Sequence, residues 1–279
     1  MLRRHLASLV REVRDDAVPD VAAGVAFWLL LSVPAALLAG LSSVSLLGDD
    51  LALELRDVID AVVDRVLTTQ ADALRGPIDD LFEQDRPGVL SASLATAVFT
   101  LSRGFAGLVR GLDAVYDIEE TRNFAHTRAL SIGLAVGTLA TVVASTALWS
   151  AAGDAGVPPL VRAPLALVVL VTWSATMFHI GPNHHTPWRY DVPGAVVAAV
   201  GWLALSVGFG WYVRLVGADG GGDVIGVVGA VLLGLTWMWA ACVVFLVGGE
   251  LNQILAAEAG VIGEARSVAS RVRARRERR

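Results

Sequence analysis

The chain alternates long charge-free runs with short charged stretches. Residues 21–48, 87–102, 129–153, 163–188, 192–213 and 224–249 contain no Asp, Glu, Lys or Arg. A bilayer core about 30 Å thick is crossed by about 20 apolar residues of helix. Five of the runs reach that length, and 87–102 reaches it when continued past Arg103 to Val109. The pattern predicts an all-α polytopic membrane protein with six transmembrane helices over 21–260. A membrane barrel would alternate apolar and polar residues instead. The first run is 28 residues long, beyond the core of a signal peptide, so it reads as a span.

One long polar segment, 49–88, separates the first two spans. Leu51, Leu55, Val58, Ile59, Val62 and Val66 recur at helical spacing among acidic residues, up to a break at Gly76-Pro77. The segment holds 11 acids and 4 arginines. It reads as an amphipathic helical segment on the outer face, or as a gate or cation-attracting vestibule.

The second span differs from the others. Ser93, Thr96, Thr100, Arg103, Gly107 and Arg110 are spaced three or four apart, so they share one helical face. An arginine at the centre of the hydrocarbon costs at least about 2.5–3.5 kcal/mol on insertion scales. The stripe is therefore expected to face the bundle interior or a wet cavity. Two readings remain: an interhelical hydrogen-bond seam, or a solute path lined by Ser93, Thr96, Thr100, Arg103 and Arg110. Glu250, at the inner end of the sixth span, stands at a depth comparable with Arg103 and Arg110, and Asp113 lies one turn beyond Arg110. These four form a candidate ion cluster at the inner mouth, with Glu250 expected within reach of one of the arginines.

Composition narrows the class. Hydrophobic residues make up 55% of the chain and charged residues 18%, against about 25% charged in soluble domains. That excludes a soluble enzyme, a disulfide scaffold and a disordered chain. The single cysteine, Cys242, excludes an internal disulfide and a thiolate metal cluster. No H-E-x-x-H, phosphate-binding loop or paired-cysteine spacing occurs, and the adjacent His184-His185 sits in a proline-flanked loop. No metal, cofactor or nucleic-acid partner is expected, and the chain is not read as an enzyme.

All basic residues are arginine. Sixteen fall on the side of both termini and six on the other. Arginine collects on the cytoplasmic side, which places both ends there. Residues 1–20 form a cytoplasmic segment, and 261–279 an arginine-rich tail suited to anionic headgroups. Gly133-x-x-x-Gly137 and Gly107-x-x-x-Gly111 are spaced for close helix approach, which leaves self-association into a homo-oligomer open.

Three motifs carry a resemblance. The run Arg110 to Arg122 (RGLDAVYDIEETR) is similar to a stretch written leucine-asparagine-x-alanine-tyrosine, followed by acids and arginine; it holds Tyr116, Glu119, Glu120 and Arg122. Pro187 to Ala195 contains Trp188 and then Pro193-Gly194-Ala195. Gly248-Gly249-Glu250-Leu251-Asn252 is similar to a closing glycine-alanine-glutamate-leucine-asparagine signature. In this order they resemble the YihY/BrkB family of bacterial inner-membrane proteins, once labelled ribonuclease BN. Asp113 stands where asparagine is usual, Gly249 where alanine is usual, and Ser32-Val33-Pro34 shortens a serine-x-x-proline pattern. The resemblance implies six spans in the bacterial cytoplasmic membrane. The residues themselves favour passage or export of a small polar or anionic solute, with a non-transporting envelope-integrity or scaffold protein as the alternative. Nothing in them supports phosphodiester hydrolysis.

Overall fold

The computed structural model describes residues 2–47, 87–118, 122–183, 186–216 and 222–261. Residues 49–86 of the expected outer-face segment, 262–279 of the arginine-rich tail, Glu119, Glu120, His184 and His185 lie outside the described residues. Within these bounds the chain is helical and contains no strand: α1 (Leu2–Asp15), α2 (Val18–Leu47), α3 (Pro87–Val115), α4 (Phe124–Asp154), α5 (Pro159–Ile180), one 3-10 turn (Trp188–Tyr190), α6 (Val192–Val216) and α7 (Gly222–Glu258).

Helices α2 to α7 correspond to the six apolar runs. Five of them, α2, α4, α5, α6 and α7, contain stretches long and apolar enough to cross a membrane. At 29 residues α3 is long enough, but its serines, threonines and arginines make it the least apolar of the six. The outer surfaces are apolar: Leu139 on α4, Val168 on α5 and Val207 on α6 are each more than half exposed. Such a surface suits lipid, while polar groups collect inside.

Residues 1–20 are not a simple extension. Helix α1 is strongly amphipathic and carries exposed Arg11 and Arg14. It ends in a tight reversal at Ala17, whose φ of 50° is left-handed. The Asp20 and Val21 amides then donate to the Ala17 carbonyl, which starts α2.

The chain divides into two compact units. One comprises Phe27–Leu101 and Val207–Met238. In it Trp28 meets Phe99 edge to face with ring centres 6.4 Å apart, and Leu30 lies over Gly234.

The other comprises Met1–Ala26, Ser102–Ser206 and Trp239–Arg279. Its core is built where glycines let helices approach. Gly111 of α3 faces Val21 of α2 and Leu246 of α7. Gly137 of α4 makes room for the Trp173 ring of α5, whose indole N–H donates to Thr138 Oγ1 at 3.2 Å. Gly133 meets nothing within 4 Å, so the Gly133/Gly137 pair is not a two-glycine helix contact here. Phe178 of α5 stacks on Phe245 of α7 with centroids 4.5 Å apart.

The closest approach is between α6 and α7. A Cβ on Gly194 would overlap the Gly248 carbonyl oxygen, and one on Gly248 would lie 2.6 Å from the Gly194 carbonyl oxygen. The two backbones therefore touch, and each position admits only hydrogen. Gly194→Ala is expected to cost about 3 kcal/mol or more, the upper range for overpacking. Gly208→Ala, on the same helix with nothing within 4 Å, should be neutral or stabilising by up to about 1 kcal/mol. Thermal melts of the two variants in detergent check the contrast, and equal midpoints would contradict the contact.

Candidate functional site

The three sequence motifs converge at one end of the larger unit. That end collects the α1–α2 turn, the end of α3, the start of α4, the end of α5, the start of α6 and the last turns of α7. The directions alternate along the chain, as they must when consecutive helices pack antiparallel.

The start of α6 is its organising point. Pro193 sits in the first turn, where a missing N–H removes no helical bond. First-turn amides have no intrahelical acceptor. The one at Gly194 donates instead to Asn252 Oδ1 on α7 at 2.6 Å. The Asn252 Nδ2 group donates back to the Asp191 carbonyl at 3.0 Å, and that carbonyl also accepts the Ala195 amide. One fully buried asparagine thus bridges 58 and 61 residues of sequence and seals the helix start.

Asp191 precedes the helix, where a negative charge is favoured by the helix dipole. Its carboxylate is 1% exposed. Oδ1 accepts from the Tyr116 hydroxyl at 3.4 Å, and Oδ2 lies 3.0 Å from His179 Nδ1. The phenol of Tyr116, just past the end of α3, is held well above its usual range, by burial first and then by the Asp191 charge. A buried phenol stays neutral because the phenolate would be desolvated beside a carboxylate.

The charged end of the first motif has a structural role. Arg122 reaches the end of α5, where Nη1 donates to the Gly181 carbonyl at 2.8 Å and Nη2 to the Pro182 carbonyl at 3.1 Å. A cation on the unsatisfied carbonyls of a helix C-terminus is favourable. Asp113 is buried, and its Oδ1 accepts the Asn183 amide at 3.1 Å. The carboxylate oxygen accepts that backbone bond, as an asparagine oxygen could.

Glu250 and Gln253 lie one turn apart on α7, each 1% exposed. Neither polar atom of the Gln253 amide has a hydrogen-bond partner among the described residues. Asp16 faces Glu250 within side-chain hydrogen-bonding reach, and Glu12 and Asp117 are the other acids that act on it. Neither arginine of the expected inner cluster is among these groups. Arg103 and Arg110 are both exposed. Equal depth in the membrane does not make two helices turn the same faces to each other; α7 turns Glu250 toward the α1–α2 turn and the end of α3.

On the α3 stripe, Thr96 Oγ1 donates to the Ala92 carbonyl at 2.8 Å and Thr100 Oγ1 to the Thr96 carbonyl at 2.8 Å. Both hydroxyls donate within their own helix. Thr96 is exposed and Thr100 buried. The side chain of Ser93 lies outside the described residues.

Sequence reasoning missed His179, Asp191, Gln253, Glu12, Asp16 and Asp117. A signal for two of these acids was present: Glu12 on α1 and Asp16 just past its end are four residues apart, one turn of helix.

The sequence matches the family described as virulence factor BrkB over residues 9–273, and the chain belongs to that family. It is 29% identical over 184 residues to the ribonuclease-like protein YfkH of Bacillus subtilis (strain 168), covering 60% of this chain and 66% of that protein. It is 23% identical over 253 residues to a UPF0761 membrane protein of Alkalilimnicola ehrlichii, covering 87% of this chain and 56% of that one. The chain therefore spans about two thirds and about half of these two relatives. No solved structure matches it.

The Tyr116 environment has a measurable consequence. The neutral phenol is favoured in the folded state, so its contribution is full below about pH 10, the unfolded value, and is lost as pH rises through the folded one. An ultraviolet titration should resolve one of the three tyrosines ionising well above pH 10. Tyr116→Phe should remove that late component, and its survival in the variant would contradict the assignment.

Proposed function

We propose that this BrkB-family membrane protein carries a small polar or anionic solute across the bacterial cytoplasmic membrane. The observation that supports it is the exposed polar face of α3. Thr96, Arg103 and Arg110 share that face and are exposed. In a helix of a membrane domain such a face is costly against lipid. Exposed guanidinium groups suit an anionic or hydrogen-bonding solute, which they bind bidentately.

In this reading α3, the second apolar run, also crosses the membrane, which makes six spans, and both termini are cytoplasmic. The basic, amphipathic α1 lies in the inner interface, and the arginine-rich tail contacts anionic headgroups. The buried network around Asp191 and Asn252 is the rigid frame that holds the helix ends. The ribonuclease-like name belongs to YfkH, and we do not extend it to this chain.

A second reading has support in the same face. Another copy of the chain could cover the α3 stripe, making the protein a non-transporting scaffold in the envelope. Water access separates the two. Thr96 and Val98 are both exposed, two residues apart on different faces of α3. With the buried Cys242 replaced, a cysteine at Thr96 should react with a small water-soluble thiol reagent in intact membranes. A cysteine at Val98, facing lipid, should not. Labelling of both would indicate a loosened bundle. Protection of Thr96 with or without added solutes would favour the scaffold.

A further inference from the structure

Helices α4 and α5 meet at the end of the unit that the frame around Asp191 does not occupy. Trp173 reaches Thr138, and Arg162 reaches Trp149, so the two helices run antiparallel. Near the turn that joins them they border a shallow open cleft. Ser145, Leu148 and Trp149 line it from α4, and Arg162, Leu165 and Val169 from α5. Leu148 and Trp149 stand three and four residues beyond Ser145, and Leu165 and Val169 three and seven beyond Arg162. Each set therefore shares one helical face.

Arg162 supplies the charge of the cleft. Its Nη1 donates to the Trp149 carbonyl at 3.1 Å, and its guanidinium carbon lies 4.9 Å from the centre of the Trp149 ring. Gly153 leaves room for this placement, since a Cβ there would lie 2.6 Å from Nη1. No carboxylate pairs with Arg162 among the described residues. Its Nε and the Ser145 hydroxyl are buried without a hydrogen-bond partner among those residues. An arginine held by one carbonyl and one aromatic face keeps its full charge and most of its five N–H donors for a further ligand. The rest of the lining is apolar and open: Leu148, Trp149 and Leu165 are 45%, 42% and 46% exposed.

Position and chemistry together select the occupant. Both helices are long and apolar enough to cross a membrane, and Trp149 and Arg162 lie within two turns of the connection 155–158. Tryptophan collects at that level, where headgroups meet acyl chains. A guanidinium group binds a phosphate bidentately. A free inorganic anion would use Arg162 and leave the apolar wall bare, whereas a hydrocarbon alone would leave the charge unanswered. A phospholipid answers both. With no acid paired to Arg162, a net negative headgroup is favoured over one that also carries an ammonium.

We propose that the α4–α5 cleft is a binding site for an anionic phospholipid, whose phosphate sits on Arg162 and whose acyl chain lies over Leu148, Leu165 and Val169. The site is separate from the α3 face and does not depend on solute passage.

Native mass spectrometry of the purified full-length protein reads bound lipid and oligomeric state together. The probes are dioleoyl phosphatidylglycerol and dioleoyl phosphatidylcholine. Phosphatidylglycerol should bind the more tightly, and Arg162→Gln should weaken it about tenfold, as expected for loss of a charge-assisted hydrogen bond. Arg214→Gln removes an exposed arginine in the last turn of α6 and should leave binding unchanged. Ser145→Leu fills the cleft and keeps the charge; it should weaken phosphatidylglycerol as well, and it carries the test if Arg162→Gln does not fold. Inorganic phosphate should not displace the lipid. Equal binding of the two lipids, equal losses in Arg162→Gln and Arg214→Gln, or displacement by phosphate would overturn the proposal. So would a dimer that disappears in Arg162→Gln, which would give the cleft to a second copy of the chain.

Discussion

The backbone contact between α6 and α7 is the constraint on which the rest of the larger unit depends. Gly194 and Gly248 let two helices touch main chain to main chain, closer than any side chain would allow. At that distance Asn252 can reach across, accept the Gly194 amide and donate to the Asp191 carbonyl. Water has little access to groups this deeply buried. The first-turn amides of α6 must find protein acceptors, and the asparagine supplies one. Placing Asn252 also places Glu250 and Gln253, because a helix is rigid over one turn.

From that contact the network spreads outward. Asp191 is fixed by its backbone at the start of α6, and its carboxylate then orders Tyr116 from α3 and His179 from α5. Arg122 and Asp113 hold the turn after α5 by its carbonyls and by the Asn183 amide. The Arg122 and Asn252 bonds satisfy backbone groups that helix ends leave open. The family motifs are thus accounted for largely as structural devices. Glu250 lies in the same motif as Asn252 but faces Asp16, beyond the α6 frame.

Much of this was legible in the sequence, but unevenly. The apolar runs located helices α2 to α7, five of which are long and apolar enough to cross a membrane, because the bilayer sets a length that composition cannot disguise. Helix α3 was the weakest of the six as a span for the same reason that it stood out chemically: Thr96, Thr100, Arg103 and Arg110 reduce its apolarity. The pairing of motifs was hidden, since Gly194 and Asn252 are 58 residues apart and no periodicity links them. The expected approach of Glu250 to Arg103 or Arg110 was argued from depth alone. Depth is one coordinate, and the rotation of each helix about its axis is another that spacing within one helix cannot supply across two. The α1 helix escaped notice because its charges read as topogenic, although their spacing also marks a face.

Hydrogen exchange at the Gly194 amide tests the α6–α7 bridge most directly. A first-turn amide normally exchanges quickly, because no intrahelical bond protects it. With its bond to Asn252 in place, the Gly194 amide should exchange only with global unfolding, and Asn252→Ala should release it while leaving amides deeper in α6 protected. Rapid exchange at Gly194 in the unaltered protein, or protection that persists in Asn252→Ala, would contradict the account.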